Sequence, residues 1–99
     1  MSDTIYSCLE PRGDYPDSKL YPLAKRVEDL NNKTVYFVDN RKNGSDVILK
    51  SLMDLMRESY PGANLFYYPK TTGFAQPESR EWWEDIEKNA DAVVVSVGD

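Results

Sequence analysis

The sequence predicts a parallel α/β domain, with a three-stranded sheet and helices on both of its faces. Short runs rich in β-branched and aromatic residues occur three times, two segments with apolar residues at helical spacing separate them, and the connections are short. A β-α-β-α-β order with short connections requires parallel pairing and right-handed crossovers. We therefore expect strand order 2-1-3, as in the first half of a doubly wound, flavodoxin- or Rossmann-like domain.

The chain divides into an arm and one domain. Residues 1–21 contain Pro, Gly and many polar groups without an apolar period, which predicts an irregular N-terminal arm that needs a partner surface to become ordered. Residues 22–99 are predicted to form a single α/β domain. At its start, Leu23, Val27 and Leu30 lie at i, i+4 and i+7, and this spacing predicts a short helix that ends at Leu30.

The first strand and the helix after it have clear signals. Lys33–Asn40, with the sequence KTVYFVDN, is polar only at its ends, which is typical of a strand buried on both faces. Ser45 or Asn43 in the following turn is expected to cap the next helix, and Pro61 is expected to end it. The buried face of this helix is predicted to consist of five apolar residues: Val47, Ile48, Leu52, Leu55 and Met56.

The second half repeats this pattern. Asn64–Tyr68 is predicted to be a short strand, and Pro77 suits the first position of a helix whose positive end would favour Glu78 and Glu81. Four residues are predicted to form the apolar face of this helix: Trp82, Trp83, Ile86 and Ala90. Ala92–Val97 holds four valines in six residues, so we expect a strand with both faces covered.

Composition excludes several classes of function. The net charge of −5, from 12 basic and 17 acidic residues, argues against a nucleic-acid partner. Histidine is absent and Cys8 is the only cysteine, so the sequence offers no intrachain disulfide, no multi-cysteine metal site and no Cys-His pair. No apolar run approaches the roughly 18 residues that cross a bilayer, and no signal peptide is recognisable. We expect a cytoplasmic protein with no membrane partner, no metal and no cofactor.

Any chemistry is expected at the carboxyl ends of the strands, because open parallel sheets bind ligands where the strand order reverses. Asp39 and Asn40 lie at the end of the first strand and Lys42 follows it, Lys70 follows the second strand, and Gly98 follows the third. Each also has a simpler interpretation: Asp39 and Asn40 can satisfy turn amides, and the lysines can be solvated charges. The sequence leaves both interpretations open.

The end of the sequence leads to a further expectation. A fully apolar parallel strand normally has another neighbour and a covering helix, and its free edge is otherwise adhesive. We therefore expect that a downstream segment is missing after Asp99. We also expect the free edge of Ala92–Val97 to be hidden, either by self-association of the protein or by docking of the N-terminal arm.

Residues 22–99 resemble a known family, the selenoproteins named for a selenocysteine-Gly-Ser-Cys (UGSC) motif. The most specific stretches are FVDNRKN and DAVVVSVGD, and the motif itself is absent. In that family a strand ending in Gly-Asp runs into the reactive selenocysteine or cysteine, so the resemblance implies an oxidoreductase truncated just before that residue. It implies a selenocysteine codon read as stop, a chain that is inactive by itself, and a redox partner protein or small-molecule substrate. It also implies a site lined by Asn40, Lys42, Asn43, Lys70, Gly98 and Asp99.

Two alternatives from other classes remain. The chain can be a complete, non-catalytic interaction module whose third strand pairs with another protein by strand addition. It can also be a domain that binds a small molecule at the strand ends without covalent chemistry. A stable complex with a separately encoded partner would favour the first of these, and binding of anions at the strand ends would favour the second.

Overall fold

The computed structural model describes residues 3–14, 16–73 and 75–97. Its three strands form one parallel sheet in the order β2-β1-β3. The predicted α/β class and the predicted strand order are therefore confirmed. In chain order the elements are β1 (Thr34–Asp39), α1 (Ser45–Ser59), β2 (Asn64–Pro69), α2 (Arg80–Asn89) and β3 (Ala92–Ser96).

The two helices cover opposite faces of the sheet, as predicted. Alternate residues of a strand point to opposite faces, so Phe37 contacts α1 whereas Val38 contacts α2. The first face holds a core cluster of Val35, Phe37, Leu49 and Met53, and the second holds Val38, Trp82 and Ile86. Burial of each such side chain stabilises the fold by about 1.5–3 kcal/mol.

The buried face of α1 differs from the predicted one. Leu49 and Met53 are buried, whereas Ile48 and Leu55 are 56% and 62% exposed. The helix carries apolar residues around most of its circumference, so periodicity alone did not identify the inward face. Ser45 is fully buried on the same stripe as Leu49 and contacts β3, and this contact sets the rotation of the helix.

The short helix predicted to end at Leu30 is absent: residues 22–30 form no helix, and Leu23 is 97% exposed. A helix this short needs tertiary packing to be stable, but Leu30 is the residue of this segment that packs against the α1-side core. The prediction was wrong because the three apolar residues do not share a surface to bury.

The chain enters β1 through a junction tied to the turn before β2. The Asn31 side chain accepts a hydrogen bond from the Gly62 amide at 2.9 Å, and the Asn32 amide donates to the Gly62 carbonyl at 2.8 Å. A Cβ atom at position 62 would lie 2.8 Å from Asn31 Oδ1, so any residue larger than glycine would have to displace the Asn31 side chain and its hydrogen bond.

The start of α2 is also later than predicted. Ser79 is the N-cap and accepts a hydrogen bond from the Trp82 amide at 3.3 Å, so Pro77 and Glu78 lie in the preceding loop. A serine hydroxyl satisfies an otherwise unpaired helix amide, whereas the Glu78 carboxylate is bonded to Thr71 and Thr72 instead. The prediction that Glu81 lies in the first turn is confirmed.

The outer part of β3 is less covered than predicted. Val93 and Val95 face the α2 side and are 42% and 57% exposed, so one face of this strand is open. The N-terminal arm does not cover it, because the arm residues that the structure describes are exposed. Among the described residues, no helix is long and apolar enough to cross a bilayer.

Candidate functional site

Three buried polar side chains meet at the carboxyl ends of β1 and β3. Asp39 and Ser96 are in register across the two strands, and Ser45 begins α1 directly beside them. Their exposed fractions are 3%, 6% and 0%. This is the point where the strand order reverses, which is where parallel sheets place their ligand sites.

Asp39 is held as a carboxylate by its hydrogen bonds. The Tyr67 hydroxyl donates to one carboxylate oxygen, and the Arg41 amide donates to the other at 2.8 Å. Burial opposes ionisation, but the bonds from Tyr67, the Arg41 amide and Ser45 outweigh it, so the pKa of Asp39 lies below its ordinary value. The interpretation that Asp39 satisfies a turn amide is therefore confirmed.

Tyr67, which donates a hydrogen bond to Asp39, also has a shifted pKa. Its burial, together with the hydrogen bond to the Asp39 carboxylate, raises its pKa to about 12. The phenol thus remains protonated at neutral pH and acts as a permanent donor to Asp39. Together the two groups fix the end of β1 against β2.

A hydroxyl pair joins the start of α1 to the end of β3. The Ser45 and Ser96 side chains are hydrogen-bonded to each other in the interior. Neither predicted cap is used: the N-cap of α1 is Gly44, in the left-handed region at φ 80°, and it makes no side-chain capping bond. Ser45 is unavailable as a cap because its hydroxyl is buried against β3.

A shallow polar depression lies beside these groups and contains two of the predicted site residues, Lys42 and Asn43. Its volume is about 320 Å³. Arg41 adopts a left-handed backbone conformation with φ 69°, which turns the chain sharply after β1. The depression carries both signs of charge, since Asp39, Arg41, Lys42, Asn43, Gly44, Asp46 and Tyr67 line it.

Asn40 and Lys70 lie on the opposite side of the sheet edge. Both line an apolar groove of about 300 Å³ on the α2 face. Residue alternation explains the separation, because Asp39 faces α1 and the next residue along the strand direction faces α2. The structure therefore brings Lys42 and Asn43 together and places Asn40 and Lys70 in a second group. Gly98 and Asp99 lie outside the described residues.

The loop after β2 is closed by its own polar groups. Lys70 Nζ donates to the carbonyls of Gly73 and Gln76 at 3.1 and 2.7 Å. Glu78 accepts from the amides of Thr71 and Thr72 at 2.7 and 3.0 Å. Burial opposes the charge of Glu78, but these bonds and those of the threonine hydroxyls outweigh it and lower its pKa to about 2. Lys70 thus shapes the rim of the groove.

Sequence reasoning did not identify Tyr67, Ser45 or Ser96 as site residues. Tyr67 lies opposite Phe37 in the register and on the same face as Asp39, so a correct register would have placed it within reach. Ser96 could have been found as the one polar residue within the valine run. Among the described residues, no group of three or more acidic or cysteine side chains could hold a metal ion.

Comparison with models of known protein families gives a match over most of the chain. The model of the UGSC family matches residues 7–99, which is most of the chain and includes part of the N-terminal arm. No curated protein and no solved structure matches the sequence.

Proposed function

The chain belongs to the UGSC family, and we propose that it is the N-terminal part of an oxidoreductase whose reactive selenocysteine, or cysteine, follows Asp99. The family is named for its selenocysteine-Gly-Ser-Cys motif, and that motif is absent from the 99 residues. On this proposal the chain is inactive by itself, because Cys8 in the arm is its only sulfur nucleophile.

The hydrogen bond between Ser96 and Ser45 is the observation that carries this proposal. It fixes the end of β3 to the N-terminus of the 15-residue helix α1. Four residues of extended chain span at most about 14 Å, so the residue that follows Asp99 lies within that distance of Ser96 and can reach the positive end of the α1 dipole. Positive potential of this kind favours an ionised, nucleophilic thiolate or selenolate.

Nearby charges act in both directions on such a group. Arg41 and Lys42 in the polar depression favour an anion, whereas Asp39 and Asp46 oppose it. The Asp39 carboxylate accepts hydrogen bonds from the Tyr67 hydroxyl and the Arg41 amide, and these donors weaken its repulsion of a nearby anion. The helix end and the two cations therefore support an ionised chalcogen.

The proposed chemistry is a two-electron reduction. A selenolate and the cysteine thiol of the motif would give two electrons to an oxidised substrate and become a selenenyl-sulfide, and a thiol reductant would restore them. The substrate would be a small molecule or a redox partner protein. We propose that the site lies across the strand ends, with Lys42 and Asn43 on its α1 side, Asn40 and Lys70 on its α2 side, and Gly98 and Asp99 leading into it.

The reading frame beyond Asp99 tests the proposal. We expect the next codon to be the stop codon that doubles for selenocysteine, or a cysteine codon, with Gly-Ser-Cys following in frame. An ordinary stop, or an open frame without Gly-Ser-Cys, would show that the proposal is wrong.

A second candidate function is a small, non-catalytic interaction module. The open apolar groove and the free edge of β3 favour it, because extended peptides bind such edges by strand addition. This function predicts a specific complex with a separately encoded partner and no Gly-Ser-Cys in frame. Purification of the tagged chain from its own cells, followed by mass spectrometry, distinguishes the two functions when it is combined with the reading frame.

A further inference from the structure

Four aromatic rings form a continuous column between the sheet and α2. The ring centroids of Tyr36 on β1 and Tyr68 on β2 are 4.9 Å apart. Tyr68 stacks on Trp82 of α2 at 4.9 Å, and Trp82 contacts the edge of Trp83 at the same distance. These separations are those of aromatic pairs in direct contact. The aromatic column therefore links β1, β2 and α2, and it includes no residue of β3.

The tyrosine end of the aromatic column contacts a carboxylate. The Tyr36 hydroxyl donates to Asp85 Oδ1 at 3.1 Å, and Asn89 Nδ2 donates to the same oxygen at 2.5 Å. The bond from Asn89, with the nearby tyrosine hydroxyls, holds the pKa of Asp85 below its ordinary value, so this side chain is ionised at neutral pH. Asp85 is therefore a proton acceptor within hydrogen-bond distance of a phenol.

The two phenol hydroxyls of the column are protonated at neutral pH. Burial, and after it the Asp85 carboxylate, raises the pKa of Tyr36 above its ordinary value and that of Tyr68 to about 12. The Tyr68 hydroxyl donates to the Trp82 carbonyl at 3.3 Å. Ring packing alone does not require these hydroxyls, since Phe66 packs against Tyr36 at 5.9 Å without one. A phenol that starts protonated must release a proton when it loses an electron.

The chemistry of these rings gives the column a direction for electron transfer. Indole and phenol rings lose one electron far more readily than the ring of phenylalanine. At neutral pH a phenol that can release its proton is oxidised at a lower potential than an indole. An electron vacancy formed on Trp82 is therefore filled from Tyr68 and then from Tyr36. It stops at Tyr36, because the next ring is Phe66 and the proton acceptor Asp85 is in contact there.

We propose that the aromatic column is a one-electron relay that ends at the hydrogen-bonded pair of Tyr36 and Asp85. A one-electron oxidant, of the class of oxygen- or nitrogen-centred radicals, takes an electron from the indole of Trp82 or Trp83. Tyr68 passes an electron to the tryptophan and regains one from Tyr36. The O–H bond of Tyr36 breaks, and its proton forms an O–H bond at Asp85 Oδ1. The products are the reduced oxidant, a neutral phenoxyl radical at Tyr36 and a protonated Asp85, while the other rings are restored.

Tyr67, on the other face of the sheet, lacks the features of a relay. Its hydroxyl also donates to a carboxylate, that of Asp39, but its ring lies under the Lys50 ammonium at 4.9 Å. A cation over a ring opposes removal of an electron from that ring. In the described part of the chain no tryptophan ring contacts Tyr67. A hydrogen bond to a carboxylate is therefore insufficient, and contact with the tryptophans distinguishes the column.

Pulse radiolysis of the 99-residue chain tests the relay, with the azide radical as the one-electron oxidant. The absorption of the tryptophan radical should decay while that of the phenoxyl radical grows, at a rate independent of protein concentration, because the transfer occurs within one molecule. Y36F/Y68F keeps both rings and should lose this phase. Tyr60→Phe is the matched control and should keep it, since Tyr60 lies at the end of α1 outside the column. An unaltered chain without the phase, a Y36F/Y68F chain that retains it, or its loss in Tyr60→Phe would overturn the proposal.

Asp85→Asn tests the proton acceptor and leaves all four rings in place, so it does not depend on the double variant folding normally. Growth of the phenoxyl absorption should become slower, because an amide does not take the proton of Tyr36. Glu84→Gln is the matched control: it removes a negative charge from the same helix, and the Glu84 side chain is 61% exposed and pairs with Arg80. Its rate should equal that of the unaltered chain. An unchanged rate in Asp85→Asn, or an equal slowing in Glu84→Gln, would overturn the role of Asp85.

Discussion

Replacing Asp39 with asparagine should destabilise the fold at neutral pH, because it removes a buried charge that two donors stabilise. The donors are the Tyr67 hydroxyl and the Arg41 amide. Hydrogen bonds to a charged group contribute about 1.5–3 kcal/mol, whereas neutral ones contribute about 0.5–1.5 kcal/mol. Asparagine keeps only one acceptor oxygen, so one of these bonds weakens by about 1 kcal/mol and the other loses its acceptor. The free energy of unfolding of Asp39→Asn should therefore fall by about 2 kcal/mol or more.

The pH dependence of this difference follows from the pKa of Asp39. The pKa is lower in the folded chain than its ordinary value of 3.8, so the folded state binds its proton less well than the unfolded state does. The stabilisation is complete above the unfolded pKa and is lost as the pH falls through the folded pKa. The difference between the unaltered chain and Asp39→Asn should therefore shrink under acid conditions.

Urea denaturation followed by tryptophan fluorescence measures the effect, since Trp82 is buried against Tyr68. We expect the midpoint to fall by roughly 1–2 M at neutral pH. Asp54→Asn is the matched control: the Asp54 side chain is 78% exposed and pairs with Arg57, so it should change the free energy by less than about 0.5 kcal/mol. Equal stability of Asp39→Asn and the unaltered chain at neutral pH, or a difference independent of pH, would refute the reasoning.

Two further predictions test the packing. Leu49 is 1% exposed, so Leu49→Ala should lower the free energy of unfolding, measured by urea denaturation, by about 3 kcal/mol. Leu52 is 36% exposed, so Leu52→Ala should lower it by less than about 1.5 kcal/mol. Similar losses in the two variants would contradict the observed rotation of α1. Gly62→Ala should lower the free energy of unfolding by about 1–3 kcal/mol because its Cβ would lie 2.8 Å from Asn31 Oδ1, and Gly73→Ala, with its nearest neighbour at 3.9 Å, should be within about 0.5 kcal/mol of the unaltered chain. A free energy of unfolding that is unchanged in Gly62→Ala would show that the contact between Gly62 and Asn31 does not restrict residue 62 to glycine.

The sheet was predictable because each strand can be recognised from the pattern of its own residues. Val35, Phe37 and Val38 lie in a run that is polar only at its ends, and the order of elements restricts the topology through right-handed crossovers. The segment that ends at Leu30 carried an equally regular helical spacing and formed no helix. Spacing predicts a helix only where the apolar side chains also have a surface to bury, and Leu23 has none.

The orientation of α1 and the site beside it depend on contacts between distant residues. Ser45 and Ser96 are 51 positions apart, and their hydrogen bond lies on the same side of the helix as the buried Leu49 and Met53. The Asp39–Tyr67 pair likewise depends on the register of β1 with β2. Sequence alone predicted a site at the strand ends but could not assign Asn40 and Lys42 to opposite faces of the sheet, because this requires knowing where β1 ends.

The ionisation of the residue proposed to follow Asp99 tests the account most directly. In the longer product with cysteine at the selenocysteine position and Cys8→Ser, the rate of alkylation by iodoacetamide would be measured against pH. The account predicts a thiol pKa clearly below the ordinary value of about 8.5, because β3 delivers the chain to the N-terminus of α1. A thiol pKa at or above about 8.5 would contradict it.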